Sequence, residues 1–132
     1  MISKRTLDLN DAKRMVQAAE DLASKQKWRL SIAIVDDGGH LILLHRMDGA
    51  PLSSIDIAQK KAVSALFYRT PTRTLEQGVA AGKSGLAALP DAIAFEGGLP
   101  VIADNEMVGA VGVSGALPHE DGEAAKTACE NL

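Results

Sequence analysis

The segment from Leu30 to Asp36, LSIAIVD, constrains the fold of this chain more than any other. In an extended strand, alternate side chains point to opposite faces, and here the side chains of both sets are largely apolar. A strand that is apolar on both faces is normally covered on both faces. The segment therefore predicts a sheet with helices above and below it, which is a three-layer α/β (α+β) arrangement.

A tight turn joins this strand to a second one. The turn is Asp37-Gly38-Gly39, and glycine readily adopts the positive φ that short hairpin turns require. The apolar run LILLHR follows, from Leu41 to Arg46. Together the two runs predict a β-hairpin.

Helical periodicity predicts the elements on either side of this hairpin. Asp8 is a candidate N-cap, with Asp11 as a capping-box acid, and the apolar stripe after them runs to about Lys27. After the hairpin, Ser53 or Ser54 is predicted to cap a second helix. That helix ends near residues 70–71, residues 72–81 predict a shorter helix, and residues 82–92 predict a loop.

The last third of the chain predicts a meander of strands and a closing helix. Ala92 to Phe95 is a short strand candidate. After Gly97-Gly98, the runs LPVIA and MVGAVGV flank the polar turn Asp104-Asn105-Glu106 and predict a second hairpin. Pro118 fits the first turn of a helix that continues to Leu132.

Composition and charge exclude several classes of partner. The 132 residues form one domain with a formal net charge of −3 and scattered basic residues, whereas a nucleic-acid-binding face needs clustered lysine and arginine. No apolar stretch approaches the roughly 20 residues that span a bilayer. The N-terminus has no apolar signal-peptide core. We therefore expect a cytoplasmic protein without nucleic-acid or membrane partners.

Neither a metal site nor a phosphate-binding loop follows from the spacing of the candidate residues. His40 and His45 are five apart on one run, so strand alternation sends them to opposite faces. Gly82-Lys83-Ser84 has only three residues between Gly78 and its GK pair, where the phosphate loop has four. Cys129 is the only cysteine, which excludes an intramolecular disulfide.

Acidic residues open the last helix. Glu120 and Asp121 are most simply first-turn residues that the helix dipole favours. The alternative is a histidine–carboxylate patch that holds a metal ion or moves a proton, with His119, Glu120 or Asp121 as the general acid or base. These three are the candidate catalytic residues if the chain is an enzyme.

Charged and small residues near strand ends predict a ligand site. Arg46 and Asp48 form a surface pair, or Arg46 binds a ligand carboxylate. Gly97-Gly98 precedes a β-run, and Ser114-Gly115 precedes a helix. Small residues at these places would let backbone N–H groups approach an anion. Lys60 is either a solvated helix lysine or a counter-charge for the ligand. The predicted ligand-binding residues are Arg46, Asp48, Lys60, Gly97, Gly98, Ser114 and Gly115.

Two blocks of sequence together resemble the GlcG/HbpS family, which includes the C-terminal domain of PduO-type proteins. The first block is SIAIVDDGGHLILLHRMDGAPLSSIDIAQKKA, and the second is EGGLPVIADNEMVGAVGVSG, followed by the acidic helix start PHEDGEAA. The resemblance runs from Leu7 to Leu132. It implies a profilin-like fold, with a five-stranded antiparallel sheet between helices, and homo-oligomers from dimers upward.

The resemblance implies a small-ligand-binding or accessory protein that acts on or senses a small anionic metabolite in a catabolic pathway. Some members of the family bind haem, which needs an axial ligand such as His, Met, Cys or Tyr. The first helix contains no histidine, and Trp28-Arg29 precedes the first strand. No matched motif supplies the ligand, so binding of haem or another tetrapyrrole or iron is one alternative and an enzyme using His119 is the other.

Overall fold

The apolar runs and helical stripes of the sequence fold as eight main elements, and the computed structural model describes all 132 residues. The helices are α1 (Leu9–Gln26), α2 (Leu52–Phe67), α3 (Thr72–Ala80) and α4 (Pro118–Glu130). The strands are β1 (Ser31–Val35), β2 (Leu41–Arg46), β3 (Gly98–Ala103) and β4 (Glu106–Ser114). A short 3-10 helix, Ser84–Ala88, lies within the predicted loop. No helix combines the length and the apolar character that a bilayer crossing requires.

The strands form one antiparallel sheet in the order β2-β1-β4-β3. The two central strands are β1 and β4, and Ser31 pairs with Arg46 on one side and with Ser114 on the other. All five residues of β1 are buried, as the two-sided apolar pattern predicts. The second hairpin turns at Asp104 and Asn105, which both take the left-handed φ of a tight two-residue turn.

Helices cover both faces of the sheet, which confirms the three layers. On one face, Ile32 and Val111 belong to the core that the buried residues of α1 and α4 complete. On the other face, Val35 and Ala110 pack against α2 residues. The α2 helix sits directly on the backbone of β4, because a Cβ added to Gly112 would overlap the carbonyl oxygen of Ala58.

The first helix begins where its capping box predicts. The backbone N–H of Asp11 donates to Asp8 Oδ1 (2.8 Å), and the N–H of Asp8 donates to Asp11 Oδ2 (2.9 Å). These reciprocal bonds satisfy two otherwise unpaired donors at the helix start. At the other end, Lys27 ends α1 in the left-handed conformation, with φ of 62°.

The predicted cap of α2 is wrong. The helix begins at Leu52, after Pro51, and no side chain caps it. The hydroxyl of Ser54 is buried instead, donates to the carbonyl of Pro51 (2.5 Å) and lies 2.8 Å from the hydroxyl of Ser31. The contact between the hydroxyls of Ser54 and Ser31 therefore links α2 to β1. The local sequence does not reveal this role.

The fifth strand of the expected sheet is absent, because the sheet has four strands. Residues 92–95, the strand candidate, join no ladder. The backbone N–H of Ile93 donates to the hydroxyl of Ser64 on α2 (3.1 Å). A side-chain acceptor on the neighbouring helix has taken the place of a strand partner, so the apolar run forms an irregular segment.

Candidate functional site

A groove of about 640 Å³ lies where the end of α1 meets the end of β2. The chain turns sharply from α1 into β1 here, and the residues after β2 form the opposite wall. We call this cavity the Arg46 groove. Its lining residues are Glu20, Ser24, Lys27, Trp28, Arg29, Arg46, Met47 and Asp48.

The Arg46 groove carries more positive than negative charge. Its cations are Lys27, Arg29 and Arg46, against the carboxylates of Glu20 and Asp48. Arg29 Nη1 donates to the backbone carbonyl of Asp48 (3.2 Å), which fixes one guanidinium across the groove wall. Arginine presents a planar fork of donors that matches a carboxylate.

Arg46 is exposed and makes no ion pair with a carboxylate of the chain. The surface pair with Asp48, which was one interpretation of the sequence, is therefore not formed. The guanidinium of Arg46 keeps its donors for water or for a ligand in the groove.

A second depression, of about 530 Å³, adjoins the Arg46 groove. The two share Lys27, Trp28 and Arg29, and the second extends to Gly115 and Glu120. The α1–β1 turn is thus a common wall. The structure brings four of the predicted site residues to this region, two on each side of the turn: Arg46, Asp48, Gly115 and Glu120.

The predicted site residues Gly97 and Gly98 lie in another place, beside a buried lysine. A Cβ on Gly97 would come within 2.8 Å of Lys61 Nζ. The N–H of Gly98 already donates to the hydroxyl of Thr72 (2.9 Å), so it is not available to an anion. The buried Ser114 is the last residue of β4 and pairs with Ser31 of β1.

A buried ion pair joins α2 to α4. Lys61 Nζ donates to Asp121 Oδ2 (3.1 Å) and to the backbone carbonyl of Val113 (3.0 Å), while the N–H of Ala116 donates to Asp121 Oδ1 (2.9 Å). The two charged side chains are only 4% and 3% exposed. Burial raises the pKa of Asp121, and the Lys61 ammonium and the Ala116 N–H oppose that rise.

Lys61, and not the predicted ligand-binding residue Lys60, is the buried lysine of α2. Lys60 is exposed on α2, 2.9 Å from Asp56, and lines a separate cavity with Asp91. The apolar stripe of α2 carries the missed signal, since Lys61 follows the buried Ala58 by three residues and therefore shares its face.

The three candidate catalytic residues do not form one hydrogen-bonded group. His119 is exposed. Glu120 Oε1 accepts the N–H of Leu117 (3.1 Å) at the start of α4, while Asp121 turns inward to Lys61. Each carboxylate has a contact within the fold, and neither orients the imidazole.

A histidine–glutamate pair that no sequence pattern predicted lies beside the groove. His45 Nδ1 lies 2.6 Å from Glu20 Oε1, and Glu20 lines the Arg46 groove. The pairing of His45 with Ile32, whose side chain packs in the core beneath α1 and α4, indicates its face. Which turn of α1 crosses that face depends on tertiary packing, which neither segment reveals alone.

Cys129 is expected to react slowly with alkylating reagents. Burial, reinforced by the nearby Glu130 carboxylate, raises the pKa of this thiol to about 12. Because only the thiolate is nucleophilic, the folded protein at pH 8 should react with iodoacetamide on the order of 1,000-fold more slowly than protein unfolded in guanidinium chloride. Mass spectrometry of quenched samples measures both rates, and equal rates would contradict the assignment.

Comparison with known sequences shows relatives along nearly the whole chain. A family model described as "Haem degrading protein HbpS-like" matches residues 7–130. Protein GlcG of Escherichia coli K12 is 39% identical over 114 residues, which are 86% of this chain and 85% of GlcG. A 15.0 kDa protein from the dhaT-dhaS intergenic region of Citrobacter freundii is 37% identical over 129 residues, 95% of this chain and 91% of that protein.

Solved structures agree with these relatives. A double mutant of Streptomyces reticuli HbpS superimposes with a TM-score of 0.92 at 31% identity, covering 100% of this chain and 90% of that one. PduOC in complex with haem gives a TM-score of 0.87 at 27% identity, covering 96% of this chain and 95% of that one. Sequence blocks, family model and fold coincide, and the chain therefore belongs to the GlcG/HbpS family.

Proposed function

We propose that this protein binds a small anionic molecule in the Arg46 groove. The observation that carries the proposal is the exposed Arg46, which has no carboxylate partner in the chain and lies with two further cations around one cavity. A volume of about 640 Å³ lies in the usual range for small-molecule sites. A ligand carboxylate would accept two parallel hydrogen bonds from the Arg46 guanidinium.

Haem is the ligand that the relatives favour. The matching family model describes a haem-degrading protein, and the similar PduOC structure is a haem complex. Haem joins two carboxylates to a planar apolar ring, and the groove offers three cations and two apolar side chains to these parts. Trp28 and Met47 would contact the ring, and Arg29 and Arg46 would pair with the carboxylates. When bound, haem supplies a redox-active iron.

Replacing Arg46 by alanine tests the groove. We expect wild-type protein to shift the Soret band of haemin, and the Arg46→Ala variant to bind with a dissociation constant about 10- to 100-fold higher, because a hydrogen bond to a charged group is lost. A Soret titration measures this difference for haemin. Thermal unfolding with malonate and succinate measures it for small dicarboxylates, so the two experiments distinguish the two classes of ligand.

Arg73→Ala is the matched control, because Arg73 is an exposed arginine on α3, outside the groove. It should bind ligand as the wild type does. Equal affinities of the two variants would place the site elsewhere. A wild-type protein that responds to neither haemin nor dicarboxylates would overturn the proposed function.

A further inference from the structure

Two arginines of the Arg46 groove occupy neighbouring positions of the β1–β2 pair. Ser31 pairs with Arg46. The N–H of Met47 donates to the carbonyl of Leu30 (2.8 Å), which continues the ladder one residue beyond β1. Arg29 precedes Leu30, so it is diagonal to Arg46 across the pair. Diagonal neighbours of an antiparallel pair are roughly 7–8 Å apart, within reach of long side chains. Both guanidiniums can therefore contact one small ligand.

Neither guanidinium is neutralised by the chain. Arg29 and Arg46 make no ion pair with any carboxylate. The hydrogen bond of Arg29 goes to the backbone carbonyl of Asp48, which is a neutral acceptor. Arginine does not lose its proton in proteins, so titration cannot relieve the repulsion between the two side chains. An anion bound between them would relieve it.

The other charged groups leave the groove with an excess of positive charge. Lys27 is a third cation of the lining and has no ion pair either. Of the two carboxylates, Glu20 is already engaged, because its Oε1 lies 2.6 Å from His45 Nδ1. Asp48 is therefore the one carboxylate left to oppose three cations. A ligand with two negative charges matches this excess.

The rest of the lining favours a compact and polar ligand. Only two of the eight lining residues, Trp28 and Met47, are apolar. Both are partly buried against the core, which leaves them little surface for a ligand. A large apolar ligand would cover the charged side chains without giving them partners, and that desolvation is costly. A short carbon chain with a carboxylate at each end buries little carbon and offers acceptors to both arginines.

The turn after β2 holds Arg29 in place. Gly49 has a positive φ of 81°, and a Cβ there would come within 2.5 Å of Arg29 Nη1 and 2.8 Å of its Cδ. The side chain of Arg29 thus lies against the bare backbone of this glycine, and Nη1 donates to the carbonyl of Asp48 (3.2 Å). A side chain that is already ordered loses less conformational freedom when it binds a ligand.

We propose that the ligand of the Arg46 groove is a short dicarboxylate and that Arg46 and Arg29 each bind one of its carboxylates. This inference rests on the proposed function and names the chemical class of its ligand. Each guanidinium presents parallel N–H donors to the two oxygens of a carboxylate. The ligand would bridge the two arginines and so replace their repulsion with two charge-assisted contacts.

Succinate and succinamate form a matched pair of probes. They are similar in size, but succinamate carries a neutral amide in place of one carboxylate. By isothermal titration calorimetry at pH 7.5, we expect wild-type protein to bind succinate about tenfold more tightly, because succinamate lacks one charged hydrogen-bond partner. Arg29→Gln and Arg46→Gln should each weaken succinate binding by about tenfold and give the two ligands similar affinities, since one guanidinium remains.

Two further variants control for charge and position. Arg29→Lys keeps the charge but loses the planar fork of donors, so it should retain part of the preference for succinate. Arg73→Gln alters an exposed arginine on α3, outside the groove, and should bind both ligands as the wild type does. Thermal unfolding without ligand verifies that each variant is folded.

The outcomes separate this inference from the proposal beneath it. Wild-type protein that binds neither succinate, succinamate nor haemin overturns both. Equal affinity for succinate and succinamate, or binding of haemin alone, overturns the dicarboxylate and leaves the groove. A preference for succinate that survives in Arg29→Gln removes Arg29 from the site. Tighter binding of inorganic phosphate than of succinate would identify the dianion as a phosphoryl group and overturn the dicarboxylate.

Discussion

Replacing Lys61 by methionine should lower the free energy of unfolding by about 3–5 kcal/mol, because the substitution leaves the Asp121 carboxylate buried without its partner. Methionine retains most of the apolar stem of lysine, so the loss reports on the charge and its hydrogen bonds. Urea unfolding at pH 7 followed by circular dichroism measures the change. A variant as stable as the wild type would contradict the role assigned to the pair.

The cost of Lys61→Met should depend on pH. Without the ammonium, burial raises the folded-state pKa of Asp121 further above its unfolded value. The folded state then binds more protons than the unfolded state between those two values, so stability falls as pH rises through them. The difference from wild type should therefore shrink toward acid pH.

Two further variants separate charge from packing. Lys60→Met, at the neighbouring exposed position, should change stability little. Lys61→Met combined with Asp121→Asn should recover part of the loss, because the asparagine is neutral and its side-chain oxygen still accepts the N–H of Ala116. A double variant less stable than Lys61→Met alone would show that the buried charge is not the source of the loss.

The second large effect is expected at Gly112. An alanine Cβ there would overlap the carbonyl oxygen of Ala58 and lie 2.5 Å from the backbone nitrogen of Ala62. Backbone atoms of a packed helix cannot move aside as a flexible side chain can, so Gly112→Ala should cost about 3 kcal/mol or more. Thermal unfolding measures the loss.

Gly85→Ala is the control for this substitution. A Cβ on Gly85 meets nothing within 4 Å, and its position in the short 3-10 helix is exposed. Its melting temperature should stay close to that of wild type. If Gly112→Ala also melts at the wild-type temperature, α2 does not rest on β4 as closely as described.

The parts of the fold that sequence predicts are those determined by neighbouring residues. The capping box at Asp8, the two-sided apolar pattern of β1 and the turn at Asp104 each carry their signal within a few residues, and the structure confirms all three. The predicted fifth strand is absent, and the contact found in its place is not local. The N–H of Ile93 donates to the hydroxyl of Ser64, which lies 29 residues earlier on α2.

The residues of the candidate site fall into the same two groups, those placed by neighbouring residues and those placed by long-range contacts. Arg46 and Asp48 are adjacent to a strand end, and their position follows from the hairpin. The contact of His45 with Glu20 joins residues 25 positions apart, and the contact of Lys61 with Asp121 joins residues 60 apart. Such pairs depend on how the helices pack against the sheet, and the periodic pattern of a single segment does not specify that packing.

The turn between α1 and β1 carries an intrinsic fluorophore. Trp28 is the only tryptophan of the chain and stands in the wall common to both cavities. Its fluorescence is therefore a single signal that responds to an occupant on either side, without an attached dye. Energy transfer from this indole to a coloured ligand would be strong at such short range, whereas a colourless ligand would act only through the polarity around the ring.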